Sequence, residues 1–182
     1  MDCYGPTPSW YSMTHLIMVR GPSCVGKSTL ARALAGDPGL DIEYVLSDRM
    51  TYYAHGKWGA GLDFGSLGRL AKTLLDEQKR DLVVEECFRD RGNVERFLAA
   101  VGKSPPDPTL VVVRLDAKEI DTIVQRSSGR PDKEPGDTQR QLDVPYWDIP
   151  GELVVRTDGK DSRSVLEETL EWLRPRICRR GR

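Results

Sequence analysis

The sequence predicts an α/β fold with a five-stranded parallel sheet, because short apolar runs alternate along the chain with stretches of helical periodicity. The runs are rich in valine, leucine and isoleucine and mostly lack polar alternation, as is typical of strands covered on both faces. Since right-handed crossovers join parallel strands through helices, we expect a three-layer sandwich. The five predicted strands are residues 15–19, 42–46, 82–86, 109–115 and 152–156.

Helical patterns fill the gaps between these strands. Ser66 is a predicted N-terminal cap, since leucine and alanine recur behind it at helical spacing. Gly36 and Gly102 end their helices, and glycine suits the left-handed turn that often follows a helix. The predicted helices are residues 28–35, 66–79, a segment from Asn93 to Gly102, one opening on the acidic capping pair Asp116 and Glu119, and about 162–173.

A single domain is the predicted organisation, because 182 residues can bury a sizeable core. We expect this domain to span residues 13–174, between an N-terminal appendage of residues 1–12 and a basic C-terminal tail of residues 175–182. The net charge is −1, so no global field attracts polyanions and any nucleic-acid contact has to be local.

The four cysteines are scattered, and neither a CxxC pair nor a histidine cluster accompanies them. The sequence therefore indicates neither a zinc site nor a disulfide framework. No basic segment followed by an apolar stretch opens the chain, and no window approaches the length that spans a bilayer. We expect reduced thiols in a cytoplasmic protein without a membrane partner.

The segment "GPSCVGKST" follows the first predicted strand and matches the G-x-x-x-x-G-K-[ST] phosphate loop. Gly21 and Gly26 keep the loop free of bulky side chains, so backbone N–H groups and the positive end of the next helix can face phosphate oxygens. We expect Lys27 to bridge the β- and γ-phosphates of ATP and Ser28 to ligate Mg²⁺. The predicted nucleotide-binding residues are Gly21, Pro22, Ser23, Cys24, Val25, Gly26, Lys27, Ser28 and Thr29.

Acidic residues follow the second and third predicted strands. Asp48 in "LSDR" lies where α/β proteins place ligand-facing residues, and it is a candidate general base; the alternative is a turn or helix-cap aspartate. The third strand ends in "VVEEC", and an acidic residue there typically holds Mg²⁺ in phosphate-loop enzymes. Since adjacent residues alternate faces, only one of Glu85 and Glu86 is expected at the metal. We favour Glu86, the alternative being a solvated strand end.

The charged loop "SSGRPDKEPGD" is a candidate lid, which we place at about residues 126–140. Arg126 and Arg130 lie at its start, where they could stabilise charge on the transferred phosphoryl group. The alternative is a solvent-exposed basic pair.

Aromatic and basic residues offer a surface for the phosphate acceptor. Aromatic rings can stack on a base, although such residues are often partly core. Arginines after the acidic pair could hold a substrate phosphate. The predicted acceptor-binding residues are Tyr52, Tyr53, Lys57, Trp58, Arg89 and Arg91.

Phosphate loop, "SD", "LVVEECFRDRGNVERF" and "VQRSSGR" together resemble the small phosphate-loop kinases, and within them the phage-type polynucleotide 5′-kinases and zeta-toxin-like kinases. The resemblance implies the P-loop NTPase-type sandwich with sheet order 2-3-1-4-5. It implies that Lys27 and Ser28 bind nucleotide and Mg²⁺, that Asp48 is the general base and that Arg126 acts from the lid. An adenine pocket would lie near the lid and residues 156–161.

The acceptor half departs from that family. Polynucleotide kinases typically end the third strand in an Asp-Thr-Asn-like motif, where this chain has "EECF". They also carry a second arginine shortly after the base, where this chain offers the adjacent Arg49 as a further acceptor-binding candidate.

These features predict an ATP-dependent kinase that phosphorylates a hydroxyl of a nucleotide or nucleic acid, with a single-stranded 5′ end as the simplest acceptor. One alternative is a small-molecule kinase for a nucleoside, sugar or antibiotic. A closed pocket favours that alternative, whereas an open basic channel favours a polynucleotide. Another alternative is a non-catalytic switch NTPase.

Overall fold

The computed structural model describes residues 13–46, 63–118, 123 and 145–177. Five parallel strands form one sheet in the order β2–β3–β1–β4–β5, which confirms the predicted fold class and sheet order. Each strand lies within one residue of its predicted bounds. The strands are β1 Leu16–Arg20, β2 Ile42–Leu46, β3 Asp81–Glu85, β4 Leu110–Asp116 and β5 Leu153–Arg156.

Four described helices cover the two faces of this sheet. Central strand β1 shows why its sequence lacks polar alternation. Ile17 and Val19 pack towards α1 and α4, whereas Leu16 and Met18 pack towards α2 and α3, and all four are fully buried. The described helices are α1 Lys27–Ala35, α2 Phe64–Gln78, α3 Arg91–Val101 and α4 Ser162–Ile177.

Carboxylates cap two helices earlier than the sequence predicted. Asp63, not Ser66, caps α2, since its side chain accepts hydrogen bonds from the backbone of Gly65 and Ser66. Helix α3 likewise begins before Asn93, because Asp90 accepts from the Asn93 N–H at 2.9 Å. A carboxylate reaching N2 or N3 of the first turn satisfies an otherwise unpaired donor, and this decides the helix start.

The C-terminal ends of the helices follow the predictions only in part. Gly102 has φ +80° and confirms the left-handed turn after α3. Gly36 ends α1 as predicted, but without the left-handed turn, since this residue has φ −90° and its N–H still bonds the Arg32 carbonyl in helical fashion. Helix α4 continues to Ile177, past the predicted helix end at 173 and the predicted domain boundary at 174.

Some predicted elements lie outside the described residues. These are the appendage (1–12), the lid (126–140), most of the helix behind Asp116 and residues 178–182 of the tail. Within the part of the chain that is described, no helix has the length and apolar character needed to cross a membrane.

Candidate active site

The loop between β1 and α1 has a path that only glycine permits at two positions. Gly21 has φ +146°, and a Cβ built on it would lie 2.4 Å from the Leu115 carbonyl oxygen. Gly26 has φ +104° and forms the N-cap of α1. Since other residues rarely adopt such backbone angles, the two glycines of the motif are required by geometry as well as by ligand access.

The first turn of α1 contains no neutralising side chain of its own. Gly26 supplies no capping side chain and the turn contains no acidic residue, so the helix itself does not compensate the positive end of its dipole. Lys27 adds a further positive charge at the first helical position, where a cation does not stabilise the helix. Its Nζ donates to the Pro22 carbonyl at 2.8 Å and lies 4.0 Å from the Cys87 sulfur. This concentration of donors and positive charge suits a phosphate group.

A carboxylate lies directly beside the loop. The Ser28 hydroxyl donates to Oε1 of Glu85 at 3.0 Å, and the Tyr44 hydroxyl donates to the same oxygen at 3.3 Å. Burial, followed by the Glu85 charge, raises the pKa of Tyr44, so this phenol is protonated at neutral pH and acts as a donor. Strand pairing explains the arrangement, because Glu85 lies opposite Val19 at the end of the neighbouring strand β1.

Glu86 is placed differently, although the sequence favoured it as the metal carboxylate. It follows the last residue of β3, and its side chain accepts the Cys87 N–H at 2.7 Å. The geometry therefore favours Glu85 over Glu86 beside Ser28. The sequence could not separate the two, since alternation says that they face opposite ways but not which way each faces.

The oxygen atoms of Ser28 and Glu85 fit a magnesium ion. Mg²⁺ prefers hard oxygen ligands and usually takes one or two of them from protein and the others from water and substrate phosphates. In the described ranges, no group of three or more His, Cys, Asp or Glu side chains could hold a metal.

A cleft of about 230 Å³ lies between the phosphate loop and the connection from β5 to α4. One wall is formed by the loop and the start of α1, including Cys24 and Thr29, and the other by the connection from β5 to α4, including Thr157 and Lys160. Asp161 closes that connection by capping α4, since its Oδ1 accepts the Ser164 N–H at 2.8 Å. The position corresponds to the adenine pocket that the resemblance implied near residues 156–161.

Buried and half-buried polar side chains gather on β1 and β4, after β3 and before β5, and we call Arg20, Arg89, Arg114, Tyr146 and Glu152 the arginine cluster. Arg20 is fully buried, and its guanidinium donates to the Glu152 carboxylate at 2.8 Å and to the carbonyls of Phe88 and Trp147.

Arg114, opposite Arg20 in the β1–β4 register, lies 3.1 Å from the same carboxylate of Glu152 and donates to Asp148 at 2.7 Å. Burial lowers the pKa of Arg20 and raises that of Glu152, and the attraction between the two groups opposes both shifts. The ion pair keeps these groups charged despite their burial.

The two arginines predicted after the third strand lie in different surroundings. Arg89 is half-buried, with its guanidinium 5.0 Å from the ring centre of Tyr146. Arg91 is exposed at the start of α3, where it pairs with Glu95 at 2.7 Å and lies over the Trp147 ring. Of these two arginines, only Arg89 therefore belongs to the arginine cluster.

The other predicted catalytic and acceptor residues lie outside the described residues, and their roles stay predictions. They are Asp48, Arg49, Tyr52, Tyr53, Lys57, Trp58, Arg126 and Arg130.

Sequence reasoning missed five side chains that the structure brings to this site, namely Arg20, Tyr44, Arg114, Tyr146 and Glu152. Arg20 carried a usable signal, since a lone charge at the end of an apolar strand, just before a phosphate loop, is unusual. Tyr44 and Tyr146 carried none, because one is an ordinary strand residue and the other precedes its strand in an irregular segment.

Solved structures share this fold. A sugar kinase from Janibacter sp. HTCC2649 superposes with a TM-score of 0.62 at 20% identity, over 88% of this chain and 95% of its own. The tunicamycin resistance protein of Deinococcus radiodurans gives 0.65 at 16% identity, over 88% and 96%. Shikimate kinase from Acinetobacter baumannii, solved with shikimate, gives 0.59 at 17% identity, over 92% and 97%.

No protein-family model matches the sequence, and neither does any curated protein. The structural neighbours give no support to the narrower resemblance to phage polynucleotide kinases. The chain therefore has the fold of the small phosphate-loop kinases, with the sheet order 2-3-1-4-5 that these proteins share.

Proposed function

We propose that the protein is a small-molecule kinase that transfers the γ-phosphoryl group of ATP to a hydroxyl group. The observation that carries the proposal is the contact of Ser28 with Glu85 at 3.0 Å, beside a helix N-terminus that no described side chain caps. Phosphoryl transfer from a nucleoside triphosphate requires a helix N-terminus that binds phosphate and, next to it, a carboxylate that can hold Mg²⁺. The start of α1 and Glu85 meet this requirement.

Different described residues would bind the phosphates, the nucleoside and the Mg²⁺ of ATP. The N–H groups at the start of α1 and the Lys27 ammonium would hold the phosphates, and the cleft between Thr29 and Thr157 would take the nucleoside. Ser28 and Glu85 would hold Mg²⁺, which when bound offsets the negative charge of the phosphates and orients the triphosphate of ATP. Tyr44 would orient Glu85 by its hydrogen bond.

The residues for the transfer step itself remain proposals from the sequence. Asp48 is the proposed base that accepts the proton of the attacking hydroxyl. Arg126 and Arg130 are the proposed lid arginines that stabilise charge on the moving phosphoryl group. The proposed cytoplasmic location likewise rests on the sequence.

A small acceptor is better supported than a nucleic acid. The neighbours include proteins named as a sugar kinase, a gluconokinase and a shikimate kinase. The described arginines at positions 20, 91 and 114 each pair with a carboxylate, which leaves Arg89 as a single arginine of this group without one among the described residues, and one such charge is not an open basic channel for a phosphate backbone. We therefore prefer the small-molecule alternative to the polynucleotide acceptor that the sequence favoured.

Transfer of radiolabelled γ-phosphate tests the proposal. The protein is incubated with labelled ATP and Mg²⁺ and a panel of sugars, sugar acids, shikimate, nucleosides and antibiotics, beside DNA and RNA carrying 5′-hydroxyl ends. We expect label in a small molecule. Label in oligonucleotides alone would restore the polynucleotide interpretation, and release of inorganic phosphate without a labelled acceptor would favour a switch NTPase.

A further inference from the structure

Several buried polar atoms of the arginine cluster have no hydrogen-bond partner. Among the described side chains, these atoms are Arg89 Nη2, Arg114 Nε, Tyr146 Oη and Glu152 Oε1. Buried polar atoms are nearly always paired in folded proteins, so unpaired atoms gathered in one place call for an explanation.

Two of the four atoms, Arg114 Nε and Glu152 Oε1, belong to oppositely charged side chains that pair with each other. Glu152 Oε1 lies 3.1 Å from Arg114 Nη1, outside hydrogen-bond geometry but within ion-pair distance. Arg89 differs, since none of the described carboxylates pairs with it and its guanidinium faces the ring of Tyr146. The Arg89 guanidinium and the Tyr146 hydroxyl are thus two polar groups that interact with each other, and the charge of Arg89 has no carboxylate partner among the described residues.

These donors lie next to the phosphate loop. Arg89 is two residues from Cys87, whose sulfur lies 4.0 Å from Lys27 Nζ and whose carbonyl accepts the Gly21 N–H at 3.4 Å. Burial raises the pKa of Tyr146, and the nearby Cys87 raises it further, so the phenol keeps its proton at neutral pH. Because Cys87 lies near both Tyr146 and Lys27, a group bound between Arg89 and Tyr146 would lie in the same region as the lysine that we propose to meet the transferred phosphate.

We propose that Arg89 and Tyr146 bind an anionic group of the acceptor, a carboxylate or a phosphate, and thereby select hydroxy acids and phosphate esters over neutral alcohols. The inference rests on the proposed kinase function and names its substrate class. The planar guanidinium matches the two oxygens of a carboxylate or phosphate, and the phenol supplies a further hydrogen bond. Arg20, 5.5 Å from the Tyr146 ring centre and bonded to Glu152, holds the ring in place.

The first test measures anion binding without any acceptor. With the phosphate loop saturated by Mg²⁺ and a non-hydrolysable ATP analogue, inorganic sulfate is titrated by calorimetry at constant ionic strength. We expect Arg89→Gln to weaken sulfate binding about ten- to a hundredfold, as for the loss of a charged hydrogen bond, and Arg89→Lys to restore part of it. Arg96→Gln, which removes an exposed arginine from α3, is the matched control. Equal sulfate affinity in the Gln variant and the parent would overturn the inference.

The second test uses pairs of acceptors that differ in one anionic group. Gluconate is compared with sorbitol, shikimate with its methyl ester, and glucose 6-phosphate with glucose, so the first two pairs report a carboxylate and the third a phosphate. We expect transfer to the charged member, a KM for it about tenfold or more higher in Arg89→Gln, a smaller rise in Tyr146→Phe and an unchanged KM for ATP. Folding of each variant is checked by thermal unfolding.

These experiments can disprove the anion site and the kinase function independently. Preference for the neutral member in all pairs, with no effect of Arg89→Gln, would overturn the anion site and leave the kinase intact. Failure to label any acceptor, together with sulfate binding that depends on Arg89, would remove the kinase function and keep the anion site.

Discussion

The phosphate loop and the arginine cluster are neighbours that are built in opposite ways. The loop is contiguous, residues 21–29, and it binds through backbone N–H groups whose direction depends on glycine at two positions. The cluster gathers one buried and four half-buried side chains from β1, from the segment after β3, from β4 and from the segment before β5. A site made of backbone can lose a side chain without unfolding, whereas a site made of buried charges is tied to the stability of the fold.

Replacement of Lys27 should give the largest effect and should leave the fold intact. Its ammonium reaches only the Pro22 carbonyl and the Cys87 sulfur among described groups, so Lys27→Met removes little structure. We expect kcat/KM for phosphoryl transfer to fall at least about a thousandfold, because a charge aimed at the transferred phosphate is lost. The unfolding curve in urea should match that of the parent.

Lys72→Met is the matched control for this substitution. Lys72 is exposed on α2 and pairs with Asp76 across one helical turn, so it changes the same charge away from the loop. Activity in Lys27→Met within tenfold of that control would show that the loop does not hold the transferred phosphate.

The arginine cluster should respond to Arg20→Met with lost stability. This substitution leaves the Glu152 carboxylate with a weaker set of partners in a buried place, and removing one member of a buried ion pair costs about 3–5 kcal/mol. Urea unfolding at neutral pH measures the difference. The double variant Arg20→Met/Glu152→Leu should recover part of the loss, and strictly additive losses would contradict the coupling between the two charges.

The same contrast explains how far the sequence could predict the molecule. The strands and the loop are local patterns, so the sheet and residues 21–29 could be located from consecutive residues. Arg20 lies more than 120 positions from both Tyr146 and Glu152 along the chain, and no local pattern brings it together with them. The choice between Glu85 and Glu86 depends on how β3 pairs with β1, which is a property of the assembled sheet.

Replacement of Glu85 should give the next largest loss of activity. Glu85→Gln should lower kcat/KM about a hundredfold and raise the Mg²⁺ concentration needed for half-maximal rate, because the carboxylate bonded to Ser28 is lost. Glu86→Gln, with the same change of charge one residue later, should stay within about threefold, since its carboxylate bonds the Cys87 N–H. Magnesium titrations of both variants measure the difference, and a larger defect in Glu86→Gln would return the metal role to Glu86.

The smallest effect should come from Tyr44→Phe, which removes one hydroxyl and keeps the ring. The Tyr44 hydroxyl donates to Glu85, whose Oε1 it shares with Ser28, and a neutral hydrogen bond contributes about 1 kcal/mol. We therefore expect a loss of about fivefold in kcat/KM at limiting Mg²⁺ and a smaller loss at saturating Mg²⁺. In the Glu85→Gln background the same substitution should have no further effect on the Mg²⁺ dependence, because the carboxylate that it orients is absent. An equal loss in both backgrounds would mean that Tyr44 contributes to catalysis by a route other than Glu85.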